Sequence, residues 1–493
     1  MERNPPPPRR RAGRILLAVG SAVTLTGLAL VPAQAASASS LLGGSSTPTH
    51  SYGCAPVKPG EIPCVGKVKI PKAPGSGSTS NSGGGTSSAP AKPAPKAPAT
   101  RSAPKRVGTK TVGVRSFGCA TGGQISCLGK FAPRSLKTVN GKPVAPKTTG
   151  SPTSSGLTPS QLVKAYGLAG TNAHGRTVAI VDAYDAPTAE ADLATYRKAY
   201  GLPACTTANG CFKKVNQNGK SSPLPQADYG WTTEISLDLD MVSAVCPTCH
   251  ILLVESDQPE TDSLGTAVNT AASTPGVVAV SNSWGGTEDS TTLTGDKDFD
   301  HPGIAITASS GDSGYGVLWP AASTHVTAVG GTTLTADSSA RGYSETAWSG
   351  AGSGCSVQEK KPSWQKDSGC GRRSIADVSA VADPNTGVAV YDTYNSCGGG
   401  PLCDVLLSLG LAQGADGWVQ VGGTSASSPI VASVYALAGN TGSIDPSYPY
   451  AHASALNDVT SGKNGDCGTY LCNAGKGYDG PTGLGTPKGT GAF

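Results

Sequence analysis

Gly422-Gly423-Thr424-Ser425-Ala426-Ser427-Ser428-Pro429 sets hydroxyl residues among small ones, directly before the apolar run Ile430 to Leu437. Small residues let a backbone turn tightly and open into a helix. A serine at such a turn presents its Oγ at a helix N-terminus, where free N–H groups and the dipole favour developing negative charge. That environment suits a nucleophile. It equally suits a plain hydroxyl N-cap before a buried helix, so the rest of the chain has to decide.

From Leu157 onward, short β-branched runs alternate with helix-like stretches. Thr177 to Asp182 reads as a strand and Ala189 to Tyr200 as a helix. Trp231 to Val245 is a second helix and Ile251 to Glu255 a second strand. Thr261 to Ala272 is helical; Val277 to Asn282, Ile304 to Ser309 and His325 to Val329 are extended. This alternation predicts an α/β fold, a mostly parallel central sheet with helices on both faces. Sites in such sheets form at the C-terminal ends of strands. The polar ends here are Asp182, Asn282-Ser283-Trp284-Gly285 and Ser310-Gly311-Asp312-Ser313-Gly314.

The first 150 residues differ sharply. They carry 21 Lys and Arg against 2 Asp and Glu, whereas the whole chain has 38 and 33. Residues 151–493 are therefore acidic. Residues 1–35 read as an export signal, with Arg9, Arg10, Arg11 and Arg14, an apolar core from Ile15 to Leu30, and Ala33-Gln34-Ala35 as the small-residue cleavage pattern. Gly20, Ser21 and Gly27 interrupt that core, and no later run is apolar enough to span a bilayer; no stable membrane insertion is expected. Residues 36–156 are rich in Pro, Gly, Ser, Thr and Lys. The stretch Gly75 to Lys105 has too little apolar surface to offset chain entropy, so a disordered N-terminal region is expected. Within it, Ser51-Tyr52-Gly53-Cys54 with Cys64-Val65-Gly66-Lys67 is repeated as Ser116-Phe117-Gly118-Cys119 with Cys127-Leu128-Gly129-Lys130. Each copy is expected to form a small Cys-pair loop. A solvated linker is the favoured reading of this basic region, with contact to anionic cell-wall polymers as the functional alternative. Aromatic residues are too sparse for nucleic-acid stacking, so no nucleic-acid partner is expected.

The 14 cysteines fall into seven close pairs: 54/64, 119/127, 205/211, 246/249, 355/370, 397/403 and 467/472. Local disulfides in an oxidising compartment are the simplest account, and point to a secreted protein. Zinc at Cys246-Pro247-Thr248-Cys249-His250 is the lesser alternative, because no second cluster lies nearby.

A serine hydroxyl needs a base. None of the six histidines stands in a His-Gly-Thr helix start after the first strand, and His174 and His250 read as structural or surface residues. The helix from Trp231 to Val245 instead offers Glu234 and Asp238, four residues apart on one face. Against a core such a pair repels strongly unless one member holds a proton, which is how a carboxyl pair serves as a general base. A solvated acidic face is the plain alternative, and Asp240 is assigned that solvated role. Asp312, in a glycine-bounded turn after a strand, is either an Asx-turn residue or a protonated donor to an oxyanion.

Together these motifs resemble the sedolisin, or serine-carboxyl peptidase, family. The match runs from about Leu157 to the C-terminus, taking Glu234-Ile235-Ser236-Leu237-Asp238, Ser310 to Gly314 and Gly423 to Pro429 in family order. The resemblance implies a subtilisin-like three-layer fold over residues 157–493. It also implies Glu234 as base, Asp238 as its partner, Asp312 as oxyanion donor and Ser425 as nucleophile. Asp182 takes the place of the subtilisin aspartate without being catalytic. The same resemblance implies a Ca2+ site formed by Asp458, the carbonyls of Val459, Gly475 and Gly477, and Asp479; an all-oxygen set suits that hard cation. The expected activity is hydrolysis of peptide or protein substrates through an acyl-enzyme at acidic pH. Two alternatives stand beside it: an inactive peptide-binding or wall-associated protein on a peptidase scaffold, and a histidine-dependent subtilisin relative. Family members usually carry a long folded propeptide that blocks the site, which the composition of residues 36–156 does not suggest.

Overall fold

A computed structural model of the chain describes residues 106–121, 125–144, 151–153, 155–290, 292–440 and 444–493. The expected signal peptide, the stretch Gly75 to Lys105 and the Cys54/Cys64 pair lie outside them.

Eight strands form the central sheet. In chain order they are β1 (Thr177–Ala183), β2 (Phe212–Asn216), β3 (His250–Ser256), β4 (Val277–Asn282), β5 (Ala305–Ser309), β6 (Thr327–Ala336), β7 (Tyr343–Ala347) and β8 (Val378–Val381). Their spatial order is β7-β6-β5-β4-β1-β3-β2, with β8 pairing on β6. All pairings are parallel except the β6–β7 edge.

Strand β1 shows why its sequence is apolar almost throughout. Successive side chains point to opposite faces of a sheet. Val178 and Ile180 enter the core cluster on one face, where helices α2 (Tyr229–Val245) and α4 (Thr424–Ala438) pack. Ala179, Val181 and Ala183 enter the cluster on the other face, beneath α3 (Thr261–Ser273) and its Leu264, Ala267, Val268 and Ala271. A strand covered on both faces has no polar side to show. The expected three-layer architecture is thus present. Helix α1 (Ala189–Ala199) packs beside α2.

Six disulfides close the expected pairs 119–127, 205–211, 246–249, 355–370, 397–403 and 467–472. The 246–249 bond removes the zinc alternative.

Two expectations need correction. The folded unit begins well before residue 157. Residues 106–144 form strands, of which Arg115–Ser116 and Lys130–Phe131 extend the sheet built on Gly417–Gly422, while Ser126–Cys127 pairs with Trp284–Thr287. Phe117, Ile125, Phe131 and Leu136 are buried, and the Phe117 and Phe131 rings meet at 4.7 Å. A few well-placed anchors, held against a preformed surface, outweigh a composition that cannot build a core alone. Asp240, assigned to a solvated face, is 1% exposed. Helix α2 is buried from Gly230 to Val245 and has no solvated face. Asp240 accepts a hydrogen bond from Tyr391 N at 2.9 Å, and burial raises its pKa well above the ordinary carboxylate value.

Candidate active site

Helix α2 begins where Asp228 caps the free N–H groups of Gly230 and Trp231, both at 3.0 Å. From that start Glu234 and Asp238 fall one turn apart. Helix α4 begins after Gly423, whose φ is +105°. A Cβ there would lie 2.4 Å from Leu128 O and 2.5 Å from Asp312 Oδ2, so only glycine lets these groups approach. Pro429 lies inside α4 and has no N–H to give to the carbonyl four residues back. That carbonyl is Ser425 O, which instead lies 3.3 Å from Ser283 Oγ.

The two helices bring Glu234 and Ser425 together at the C-terminal ends of β1, β4 and β5. The Ser425 hydroxyl donates to Ser283 O at 3.4 Å and is close enough to Glu234 to favour its charged form. Glu234 Oε2 accepts from Gly129 N at 2.8 Å. Ser283 Oγ donates to Asp238 Oδ1 at 2.8 Å, so it links the second carboxyl to the backbone of Ser425. Asp312 Oδ1 accepts from Thr424 N at 2.7 Å and Thr424 Oγ1 at 2.8 Å. This places Asp312 on the residue preceding Ser425, beyond the local contacts of an Asx-turn.

Charge is poorly compensated here. Glu234, Asp238 and Ser425 are fully buried and Asp312 is 4% exposed. Glu234 Oε1, Asp238 Oδ2 and Asp312 Oδ2 accept no direct hydrogen bond among the described residues. Burial, and then the Asp238 charge, push the Glu234 pKa well up, against hydrogen bonds from Ser425 and Gly129. Burial likewise raises Asp238, with Ser283 opposing it. Asp312 is pushed up to about 6 by burial, opposed by Lys130 and the Thr424 bonds. Asp182, below the site, is raised by burial and then by Asp238, Glu234 and Glu255. Four carboxyls with so little cationic company are best accommodated by retaining protons.

His174 and His250 are exposed. They precede or open β1 and β3 at their N-terminal ends, the opposite edge of the sheet from Ser425. The histidine alternative therefore has no geometry behind it.

Five residues that contribute here carry no such role in the sequence reading. Ser283 stood in a polar strand end but carried no motif of its own. Thr424 was read only as part of the turn. Leu128, Gly129 and Lys130 were read as linker, although the repeat containing them was visible; Lys130 Nζ donates to Asp312 O.

The loops of the expected cation site also meet. Gly477 N donates to Asp458 Oδ2 at 2.9 Å and Gly475 N to Asp479 Oδ2 at 2.9 Å. Thr482 N and Oγ1 hold Asp479 Oδ1 at 3.0 and 2.9 Å. Asp479 is pushed up to about 7 by burial, with Asp458 adding to it. Among the described residues no group of three or more His, Cys, Asp or Glu side chains is arranged to hold a metal. Two carboxyl groups on glycine-rich loops are hard oxygen donors of the kind a hard cation takes.

No family model matches the chain. A solved structure of Pseudomonas sedolisin, a serine-carboxyl proteinase complexed with two molecules of pseudo-iodotyrostatin, is 30% identical with a TM-score of 0.56, covering 69% of this chain and 96% of that one. The chain belongs to the sedolisin family. Two curated relatives agree: sedolisin of Pseudomonas sp. (strain 101), 31% identical over 70% of this chain, and kumamolisin of Bacillus sp. (strain MN-32), 29% identical over 67% of it. This sedolisin-family chain spans 62% of the length of either. Among its described residues no helix is long and apolar enough to cross a membrane.

Proposed function

We propose that the chain is a secreted serine-carboxyl peptidase that hydrolyses peptide bonds through an acyl-enzyme at acidic pH. The observation that carries this reading is the Ser425 hydroxyl facing a buried glutamate, with a second buried carboxyl oxygen, Asp312 Oδ2, left free beside the start of the same helix. Glu234 takes the Ser425 proton as Oγ attacks the peptide carbonyl, and returns it to the leaving amine. Asp238 shares a proton with Glu234 and so tunes it. Protonated Asp312 donates to the tetrahedral oxyanion, a function that requires pH below its raised pKa of about 6. Export is supported by the arginine-led N-terminal sequence and the six disulfides. Asp458 and Asp479, with the carbonyls of Val459, Gly475 and Gly477, would hold Ca2+, which supplies the positive charge that this pair lacks and ties the two loops together.

The test is digestion of denatured casein by the purified protein from acidic to neutral pH, beside Ser425→Ala, Glu234→Gln and Asp312→Ala. Cleavage that fades above about pH 6 and is lost in the variants, with circular dichroism unchanged, is expected. A folded wild type that cuts nothing at any pH sinks the reading and leaves a peptide-binding scaffold.

A further inference from the structure

A second group of charges lies along the helix Pro401–Leu409, away from the serine. A cavity of about 290 Å³ is lined there by Arg115, Phe131 and Arg134 on one side and by Asp404, Leu407 and Trp418 on the other, with Asp416 at its edge. Phe131, Leu407 and Trp418 are buried and give it an apolar floor. The charges follow the helix. Arg115 stands at its C-terminal end, where a Cβ on Gly410 would lie 3.1 Å from Arg115 Nη1. Asp416 stands at its N-terminal end, where Oδ2 accepts from Gly400 N at 3.0 Å, and Asp404 is in the first turn. Arg134 lies close enough to feel both Arg115 and Asp404.

Acids at the first turn and a cation at the last are what a helix macrodipole favours. That does not account for Arg134, nor for the want of partners. Arg115 Cζ lies 5.1 Å from the centre of the Phe131 ring, which orients the guanidinium without meeting its N–H groups. Among the described residues neither arginine side chain makes a hydrogen bond or an ion pair. Burial lowers the Arg115 pKa. Burial, then the Arg115 charge, lower that of Arg134, and Asp404 opposes them. Burial, then the Asp416 charge, raise the Asp404 pKa, and Arg134 opposes them. Two like charges are thus held together at each end of one hollow. A guanidinium carries five donors, and desolvating them unmet is costly.

We propose that this cavity binds a lysine residue that carries a free C-terminal carboxylate. The carboxylate takes the forked N–H donors of Arg115 and Arg134. The aliphatic stem lies on Phe131, Leu407 and Trp418, as lysine stems do on apolar surface. The ammonium meets Asp404 and Asp416. Other ligands use only part of the site. Phosphate leaves the apolar floor and both aspartates idle, and an aliphatic acid leaves the aspartates without a cation. A helix of nine residues is about 14 Å long, which gives room for one long side chain and its backbone carboxylate. The site uses none of Glu234, Asp238, Asp312 and Ser425, so it stands apart from the peptidase reading. Its arginines precede residue 157 and its aspartates follow it, so the ligand ties the two parts of the fold together.

Titration calorimetry of the full-length chain at near-neutral pH tests this, with Nα-acetyl-lysine, its amide, N-acetylnorleucine and inorganic phosphate as probes. Nα-acetyl-lysine is expected to bind. Its amide lacks the carboxylate and N-acetylnorleucine lacks the ammonium, so each should bind at least about tenfold more weakly. Arg134→Met should weaken Nα-acetyl-lysine at least about tenfold. Asp404→Asn should shrink its advantage over N-acetylnorleucine while leaving the affinity for N-acetylnorleucine itself unchanged. Circular dichroism checks that each variant is folded; if Arg134→Met is not, Arg115→Met takes its place. No binding of Nα-acetyl-lysine, equal binding of either analogue, or unchanged binding in the arginine variant overturns the inference. Tighter binding of phosphate marks a general anion clip and overturns it too.

Discussion

Two fully buried groups of charge lie in this fold, and they are neutralised differently. Asp377 receives Arg373 in a two-pronged bridge, Nη1 to Oδ1 at 2.7 Å and Nη2 to Oδ2 at 2.6 Å. Ala328 N and Tyr450 OH add bonds of 2.7 Å each. Both carboxylate oxygens are thus met by donors, and the guanidinium by an acceptor pair of matching shape. Around Ser425, by contrast, Glu234, Asp238, Asp182 and Asp312 have free oxygens among the described residues, and Lys130, which donates to Asp312 O, lies on the segment before residue 157. Where no cation is supplied, protons must do its work. A structural charge is paired by a side chain; a chemical one is left to titrate.

The largest effect should come from breaking the second group at its centre. Ser425→Ala and Glu234→Gln should each lower casein turnover by more than about a thousandfold, since neither attack nor proton transfer has a substitute. Thermal unfolding should barely move, because each change preserves packing and Glu234→Gln removes a charge that burial disfavours. Near-normal turnover in either would show that the acids around Ser425 are structural too.

Breaking the first group should do the reverse. Arg373→Met leaves Asp377 charged, buried and unpaired, at a cost of about 3–5 kcal/mol. Urea unfolding should register this as a lower midpoint, with residual turnover per folded molecule preserved.

Asp312 sharpens the comparison. Asp312→Ala should lose about 10²–10³ in turnover, as for other oxyanion donors. Asp312→Asn keeps a donor that cannot lose its proton, so its activity should persist above the wild-type fall near pH 6. A pH profile identical to wild type would remove Asp312 from the acidic dependence.

Stability should follow the same sign. Asp312 is raised from 3.8 to about 6 and Asp392 from 3.8 to about 7, both by burial. A carboxyl whose folded pKa is raised binds its proton more tightly in the folded state. Its contribution is complete below 3.8 and is lost as pH rises through 6 and 7. The melting temperature should therefore decline across that window, and decline less in a Asp312→Asn, Asp392→Asn double variant. The smallest effect concerns the loops of Asp458 and Asp479. Added calcium at about a hundred times its Kd should stabilise by about 2.7 kcal/mol, and Asp479→Asn should abolish the gain.

Much of this was legible in the chain itself. Short, almost wholly apolar β-branched runs alternating with helix-like stretches determined the parallel sheet and its two helical layers, because a strand covered on both faces has no polar side to show. The resemblance carried by the Glu234/Asp238, Asp312 and Ser425 motifs, in their order, indicated which residues to bring together. Tertiary structure alone decided that α2 has no exposed side, so that Asp240 is buried; four residues of spacing say which acids share a face, not what covers the others. It alone decided that Ser283 would join Asp238 to Ser425, since the two lie on elements distant in sequence. And it alone decided that residues 106–144 fold. Their composition cannot form a core, but a surface already built by the sheet offers edges and apolar pockets, and a weakly apolar segment needs only a few anchors to stay on it.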